Sequence, residues 1–345
     1  MALRNVLAAL AVVSSLFLAS CGQGAGEIPF RRNSGFVFGT NYNLIYRSRT
    51  DLCPQVMARL AEYDSSMSVF NPSSTMSRLN EGDSVVADTL MLHVIGLAKM
   101  FHKFSNGAFD ITVEPLSRHW RFTRHLENDT ISVEQWEALL AGLDTVMPLV
   151  GLDKISVEGD VVRKADRRMK LNANALAEGY GIDLAAGVLE ENGVTDYMVE
   201  IGGEIHCSGV SPRGGKWRIG IDRPIEGSNM LNRQNQCIVE VSGCAVSTSG
   251  SYRQCYHVAD GRRVQHTIDP RTGMPVAHSM ESVTVVGRNT LTTDALCTTL
   301  MVLGPDSALG KIDALPDTEA YIIFRDADGR LVERMTDGFR KLIVD

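Results

Sequence analysis

The sequence predicts an α+β protein, and three observations predict it. Strand-like segments such as Trp217–Asp222, Cys237–Val241 and Ala245–Gly250 follow one another through short turns, instead of alternating regularly with helices as a parallel sheet requires. Elsewhere the apolar spacing changes to a helical period behind recognisable capping residues. With 44% hydrophobic and 22% charged residues in a chain of 345, the composition is globular and the length suffices for a large buried core.

In chain order, the N-terminus comes first. Arg4 precedes the apolar run Val6–Val13, and small residues lead to Leu18-Ala-Ser-Cys21. A charged start, a short apolar core and small residues before a cut site describe a secretory signal, too short for a spanning helix. The last four residues resemble a bacterial lipobox, in which Cys21 would be lipidated and become the first residue of the mature chain. An ordinary signal peptide with an incidental cysteine is the alternative. The expected organisation is a lipoprotein signal peptide over 1–20, a lipidated tether over 21–34 and a folded domain over 35–345. The chain would then be exported and lipid-anchored to a bacterial membrane, facing the periplasm.

Within the domain, Phe36–Tyr46 reads as a strand, and Thr50-Asp51 caps a helix through Val56, Leu60 and Tyr63. Asp88 opens a second helix that stops at Asn106-Gly107. The polar segment His119–Asp129 reads as a surface insertion. Ser132-Val-Glu-Gln135 is a capping box for a helix that Gly142 closes. Asn172–Ala177, mostly small residues, runs into a helical pattern through Leu184 and Leu189. Asp196–Glu204 reads as a strand ending at a glycine pair. Thr292-Thr293 caps a helix to Leu303, and Tyr321–Phe324 with Leu331–Arg334 forms a hairpin around Asp326–Gly329.

The bulk numbers exclude some functions. A net charge of −7 argues against a nucleic-acid surface, which depends on clustered Lys and Arg. No GxGxxG, P-loop or HExxH pattern occurs. Apart from Cys21, six cysteines remain, with no zinc-like spacing. Their even number permits disulfides, Cys244 with Cys255 for example.

Three stretches carry chemistry. Lys170–Asp183 brings a closely approachable backbone into a helix start, which suits a phosphate or a flat ring. His266–Pro275 places one imidazole beside a Pro/Gly turn, either a hydrogen-bonded loop histidine or a proton acceptor. Asp294 and Thr298 stand four residues apart, hence on one face of a helix. Such oxygens suit Mg²⁺, although Asp294 equally suits a helix N-terminus.

All these pieces occur in order, together with Phe70–Asn80, Gly107–Leu116, Glu200–Glu204 and Val246–Tyr252. The set resembles the ApbE family of flavin transferases, from about Phe38 to about Gly304. The resemblance implies antiparallel sheets flanked by helices, with an FAD cleft between a larger core and a smaller subdomain. It implies Mg²⁺-dependent transfer of FMN from FAD to a Thr or Ser hydroxyl of a target flavoprotein in a membrane redox complex, with AMP released. On the same basis Ala175 through its carbonyl, Asp294 and Thr298 would hold Mg²⁺, and His266 would take the hydroxyl proton. FAD contacts would come from Phe38, Phe70, Ala108, Phe109, Asp110, Asn172, Glu178 and Ile268, with aromatic faces available to the rings. At Asn172 and Glu178 the chain departs from the Asp and Lys common in that family. Attack by water, giving FMN and AMP, and non-catalytic FAD binding by a lipoprotein are the alternative readings.

Overall fold

The computed structural model describes residues 27–122, 130–226, 233–252 and 254–344. Cys21 and the expected signal peptide lie outside the described residues. The chain begins with β1 (Phe30–Val37), β2 (Thr40–Arg47), α1 (Cys53–Met67), α2 (Thr75–Glu81), β3 (Ser84–Val86), α3 (Thr89–Phe104) and α4 (Glu114–His119). It continues through β4 (Thr130–Ile131), α5 (Val133–Val146), β5 (Ile155–Glu158), β6 (Val161–Lys164), α6 (Asn174–Glu191), β7 (Tyr197–Ile201), β8 (Glu204–Ser208), β9 (Trp217–Asp222) and β10 (Asn235–Val241). The last third holds β11 (Cys244–Gly250), β12 (Cys255–Val258), β13 (Arg263–Gln265), β14 (Met280–Gly287), α7 (Thr290–Leu303), α8 (Pro305–Ile312), β15 (Glu319–Arg325), β16 (Leu331–Met335), α9 (Asp337–Arg340) and β17 (Ile343–Val344).

An eight-stranded antiparallel sheet in the order β1-β2-β7-β8-β11-β14-β15-β16 organises the molecule. Side chains alternate between its faces. Val285 and Ile322 join the core beneath the helices, while their neighbours Val286 and Ile323 pack against the small sheet β17-β10-β9. The large sheet is therefore buried on both sides at its centre, and every residue of β14 is buried. A separate small core gathers Leu116, Trp120, Trp136, Tyr256 and Ile268 around the sheet β13-β12-β4. The mixed helix and antiparallel-sheet architecture expected from the sequence is the one observed.

Several element boundaries differ from expectation for local reasons. The segment expected to be one strand from Phe36 is a hairpin, because Phe38 and Gly39 take φ of 53° and 83° between Val37 and Thr40, the pattern of a two-residue turn. β1 already starts at Phe30, paired with Arg47, so the folded domain reaches into the stretch read as tether. Gly202 and Gly203, with φ of 69° and 119°, likewise turn β7 into β8, and Glu204 opens a second strand. The helix through Tyr63 has Asp51 beside its first turn, accepting from the Cys53 N–H at 3.1 Å and from Tyr46 at 2.8 Å.

Asp88 caps α3 as expected, accepting from the Met91 N–H at 2.9 Å. The capping box of Ser132 and Gln135 also forms. Gly142 does not close α5, which runs to Val146. The glycine instead admits the His119 ring, whose Cε1 would stand 3.0 Å from a methyl group there. Nor is the start of the expected surface insertion peripheral: Trp120 is fully buried, and its indole N–H donates to the Gly273 carbonyl at 2.7 Å. The six described cysteines are free; Cys244 faces Cys207 across β11 and β8, not Cys255. Among the described residues no helix is long and apolar enough to cross a membrane.

Candidate active site

The site is built where α6 meets α7. A methyl group at Gly179 would stand 2.6 Å from the Thr290 carbonyl oxygen, so only glycine lets the two helices approach this closely. Asp183, one turn further along α6, places its two oxygens 2.8 and 2.9 Å from the Thr290 and Leu291 N–H groups. These are otherwise unpaired first-turn donors of α7, and a carboxylate there also complements the helix dipole. Asn289 completes the cap by accepting from Thr292 at 2.9 Å, so the cap lies before the Thr292-Thr293 pair expected to provide it.

This junction fixes Asp294. Its carboxylate accepts from the Gly179 N–H at 3.2 Å, the same N–H that an α-helix directs toward the Ala175 carbonyl. The Asp294 carboxylate thus lies beside the Ala175–Gly179 turn of α6, and Thr298 follows one turn along α7, half-buried. Asp294 is only 6% exposed. Burial pushes its carboxyl well above the usual range, the Glu178 charge adds to this, and the Gly179 N–H opposes it.

Glu178 and Glu204 extend the acidic character. Their side chains hydrogen-bond to each other, and one Glu204 oxygen is buried without a partner. Burial raises both carboxyls, with the Asp294 and Glu178 charges adding at Glu204. Two carboxyl groups bonded in this way share a proton. Among the described residues no group of three or more His, Cys, Asp or Glu side chains is arranged to enclose a metal ion. A cation here would instead rest on a sparse oxygen set, and the Ala175 carbonyl, Asp294 and Thr298 fit the short protein shell that Mg²⁺ accepts.

An aromatic cleft adjoins this junction. Phe38, Tyr63, Met67, Val69, Phe70, Asn174, Ala177 and Glu178 line it. Phe38 is held there at positive φ, which is unfavourable for a bulky residue and typical of functional turns. Its ring meets Tyr63 edge-on at 5.6 Å. Phe70, 77% exposed, stands at the mouth.

His266 comes from the smaller subdomain. Its backbone N–H and its Nδ1 both lie 3.1 Å from the Gln254 carbonyl. A carbonyl can only accept, so Nδ1 carries the proton and Nε2 of the neutral ring is left as an acceptor. Burial lowers the imidazole pKa, the Gln254 carbonyl works against this, and the Arg263 charge lowers it further. The following turn is rigid: Asp269 binds Arg271 through two side-chain bonds and accepts the Gly273 N–H at 2.8 Å on its carbonyl.

The expected residues therefore fall into groups. Phe38, Phe70 and Glu178 line the cleft, and Ala175, Asp294 and Thr298 occupy the helix junction. The Phe109 ring is 1% exposed and packs against Phe101 at 5.7 Å. Ala108 is equally buried. Asp110 holds Thr112 at 2.6 and 2.7 Å and Leu152 at 2.9 Å, so its side chain orders the loop. Asn172 donates to Glu114 at 2.8 Å and accepts the Asn174 N–H at 2.9 Å. Ile268 packs in the small core. Sequence reasoning missed Tyr63 and Glu204 as site residues; their signals were a tyrosine in an aliphatic helix face and an acid directly after a glycine pair.

Fold and site together define an α+β protein with an aromatic cleft beside a buried carboxylate junction and an imidazole held in one tautomer. The ApbE family model matches residues 38–322, and the chain belongs to the ApbE family. It is 32% identical over 321 residues to an FAD:protein FMN transferase of Vibrio cholerae, covering 90% of this chain and 91% of that one. An FAD:protein FMN transferase of Escherichia coli K12 is 31% identical over 285 residues, covering 81% of this chain and 78% of the other. Among solved structures, the flavin transferase ApbE from Vibrio cholerae superposes with a TM-score of 0.78 at 30% identity, covering 91% of this chain and 100% of that one. The apo flavinyl transferase ApbE of Pseudomonas stutzeri gives 0.76 at 31% identity, covering 93% and 98%.

Proposed function

We propose that this protein transfers FMN from FAD to a Thr or Ser hydroxyl of a target flavoprotein and releases AMP. The observation that carries the reading is the Asp294 carboxylate, buried against the Gly179 N–H next to the aromatic cleft. Flat rings suit the walls formed by Phe38 and Phe70. A dinucleotide lying there would bring its pyrophosphate toward the Ala175–Asp294–Thr298 oxygens through a shared cation.

Bound by those three residues, Mg²⁺ would offset the pyrophosphate charge and orient the reacting phosphorus. The chain's own groups do the rest. His266 accepts the acceptor hydroxyl's proton at Nε2, while the Gln254 carbonyl keeps its Nδ1–H in place. The hydroxyl oxygen bonds to the FMN phosphorus, the phosphoanhydride bond breaks, and AMP leaves with the electron pair. The depressed imidazole pKa keeps the base unprotonated near neutral pH.

The acceptors would be subunits of membrane redox complexes, and lipidation at Cys21 would hold the enzyme at the membrane, facing the periplasm. The test combines the protein with FAD, Mg²⁺ and a Thr-containing acceptor, following AMP by chromatography and acceptor mass by spectrometry. A gain matching FMN, lost without Mg²⁺ and in Asp294→Ala, supports the transferase. AMP without labelling supports attack by water, and bound FAD with no AMP leaves only flavin binding.

A further inference from the structure

Tyr63 is the cleft residue whose chemistry the proposed reaction leaves unused. It lies on the inner face of α1 with Val56, Leu60 and Met67, where an aliphatic side chain or Phe would satisfy the packing. It is 1% exposed, and its hydroxyl is buried with no hydrogen-bond partner. A buried hydroxyl left in this state destabilises the ligand-free protein, because it has lost water and gained nothing in return. The ring is held edge-on by Phe38 at 5.6 Å and by Tyr180 at 5.3 Å.

The surroundings narrow what the hydroxyl can meet. Tyr63 lines the same cleft as Phe38, Phe70 and Glu178, so a group entering between the aromatic walls comes within reach of the α1 face. Burial, and then the Tyr180 and Asp294 charges, raise the phenol far above its ordinary pKa. It therefore remains protonated and serves as a donor. Flat heterocycles with carbonyl or imine-type nitrogen acceptors on their rims satisfy both the walls and the donor. Both rings of a flavin–adenine dinucleotide have this chemistry.

We propose that Tyr63 is a specificity-determining residue, its hydroxyl donating to a rim acceptor of the heterocycle seated in the cleft. The inference rests on the flavin-transfer reading above and adds to it the atom that reads the ring. A site prepared to hydrogen-bond a ligand discriminates against ligands that lack the partner, since the buried group is then left unpaired.

The test compares the wild-type protein with Tyr63→Phe, which keeps the ring and removes only the hydroxyl. FAD, riboflavin and ADP are each titrated with Mg²⁺ present, and both proteins are melted without ligand. The expected result is roughly a tenfold loss of FAD affinity in Tyr63→Phe, together with a ligand-free melting temperature equal to or above that of the wild type. An equal loss for riboflavin would assign the acceptor to the flavin ring, and a loss for ADP would assign it to adenine. A merely structural tyrosine would move the melting temperature down and leave the affinity ratio alone. Unchanged FAD affinity in Tyr63→Phe, or a lowered ligand-free melting temperature, overturns the inference while leaving flavin transfer intact. If the wild type binds no FAD, the transfer reading itself falls, and this inference with it.

Discussion

The Gly179 N–H donates to the Asp294 carboxylate at 3.2 Å, and this bond joins the middle of the chain to its last third. It exists because residue 179 has no side chain. In an ordinary helix interior alanine would be favoured over glycine by about 1 kcal/mol. Here a methyl group would stand 2.6 Å from the Thr290 carbonyl oxygen and 3.0 Å from Asp294 Cβ. Gly179→Ala should therefore destabilise the fold by about 1–3 kcal/mol, a reversed sign that urea unfolding would detect. A variant as stable as the wild type would show that the helices can separate freely.

The buried acids predict an unusual pH dependence. Burial, then the Asp294 and Glu178 charges, hold the Glu204 carboxyl well above its ordinary range. An acid with a raised folded pKa binds more protons folded than unfolded between the two values. Stability conferred by that proton is full below the unfolded pKa of about 4.3 and declines as pH rises toward the folded value. Melting curves in a chelating buffer should thus fall over this window, and Glu204→Gln should flatten the fall. Parallel curves for the two proteins would count against the assignment.

His266 makes a kinetic prediction with a defined direction. Because burial lowers its pKa below 6.5, the acid limb of a transfer–pH profile should have its midpoint below that value. Activity rises with pH as the base loses its proton. His266→Gln should lower turnover by roughly 10²–10⁴ with little change in FAD affinity. A limb centred well above neutrality would assign the base elsewhere.

A fourth prediction concerns the scaffold. Asp88 accepts from the Met91 N–H and also from Ser66 at 2.7 Å and Thr75 at 2.9 Å, tying α3 to α1 and α2. Asp88→Ala should cost about 0.5–2 kcal/mol as a lost cap, and Asp88→Asn should recover part of it. Chemical denaturation of both variants separates the two outcomes.

The sequence made legible whatever local chemistry decides. The Asp88 cap, the Ser132 box and the hairpin around Asp326–Gly329 all form as expected, since each depends on a few adjacent residues. Boundaries failed where a distant partner decides them. Gly142 looked like a stop signal because its use, admitting His119, lies on another helix. Asp183, named in the sequence only as the end of the Lys170–Asp183 stretch, caps α7 across 107 positions of sequence. Spacing placed Asp294 and Thr298 on one face, but the proximity of Glu178 and Glu204 to that face required the sheet and its Gly202-Gly203 turn. The packing of the Phe109 ring against Phe101 was hidden for a similar reason: an aromatic residue in a motif does not reveal which way its ring points.

The Asp183 cap also constrains the order of assembly. Two oxygens from α6 complete the first turn of α7, so α7 gains its full N-terminal support only after a long loop has closed. Closing such a loop requires entropy to be given up before the contacts that compensate for it appear. The acidic pocket should consequently be among the last features to mature, leaving a newly made chain chemically silent until its two distant halves have met.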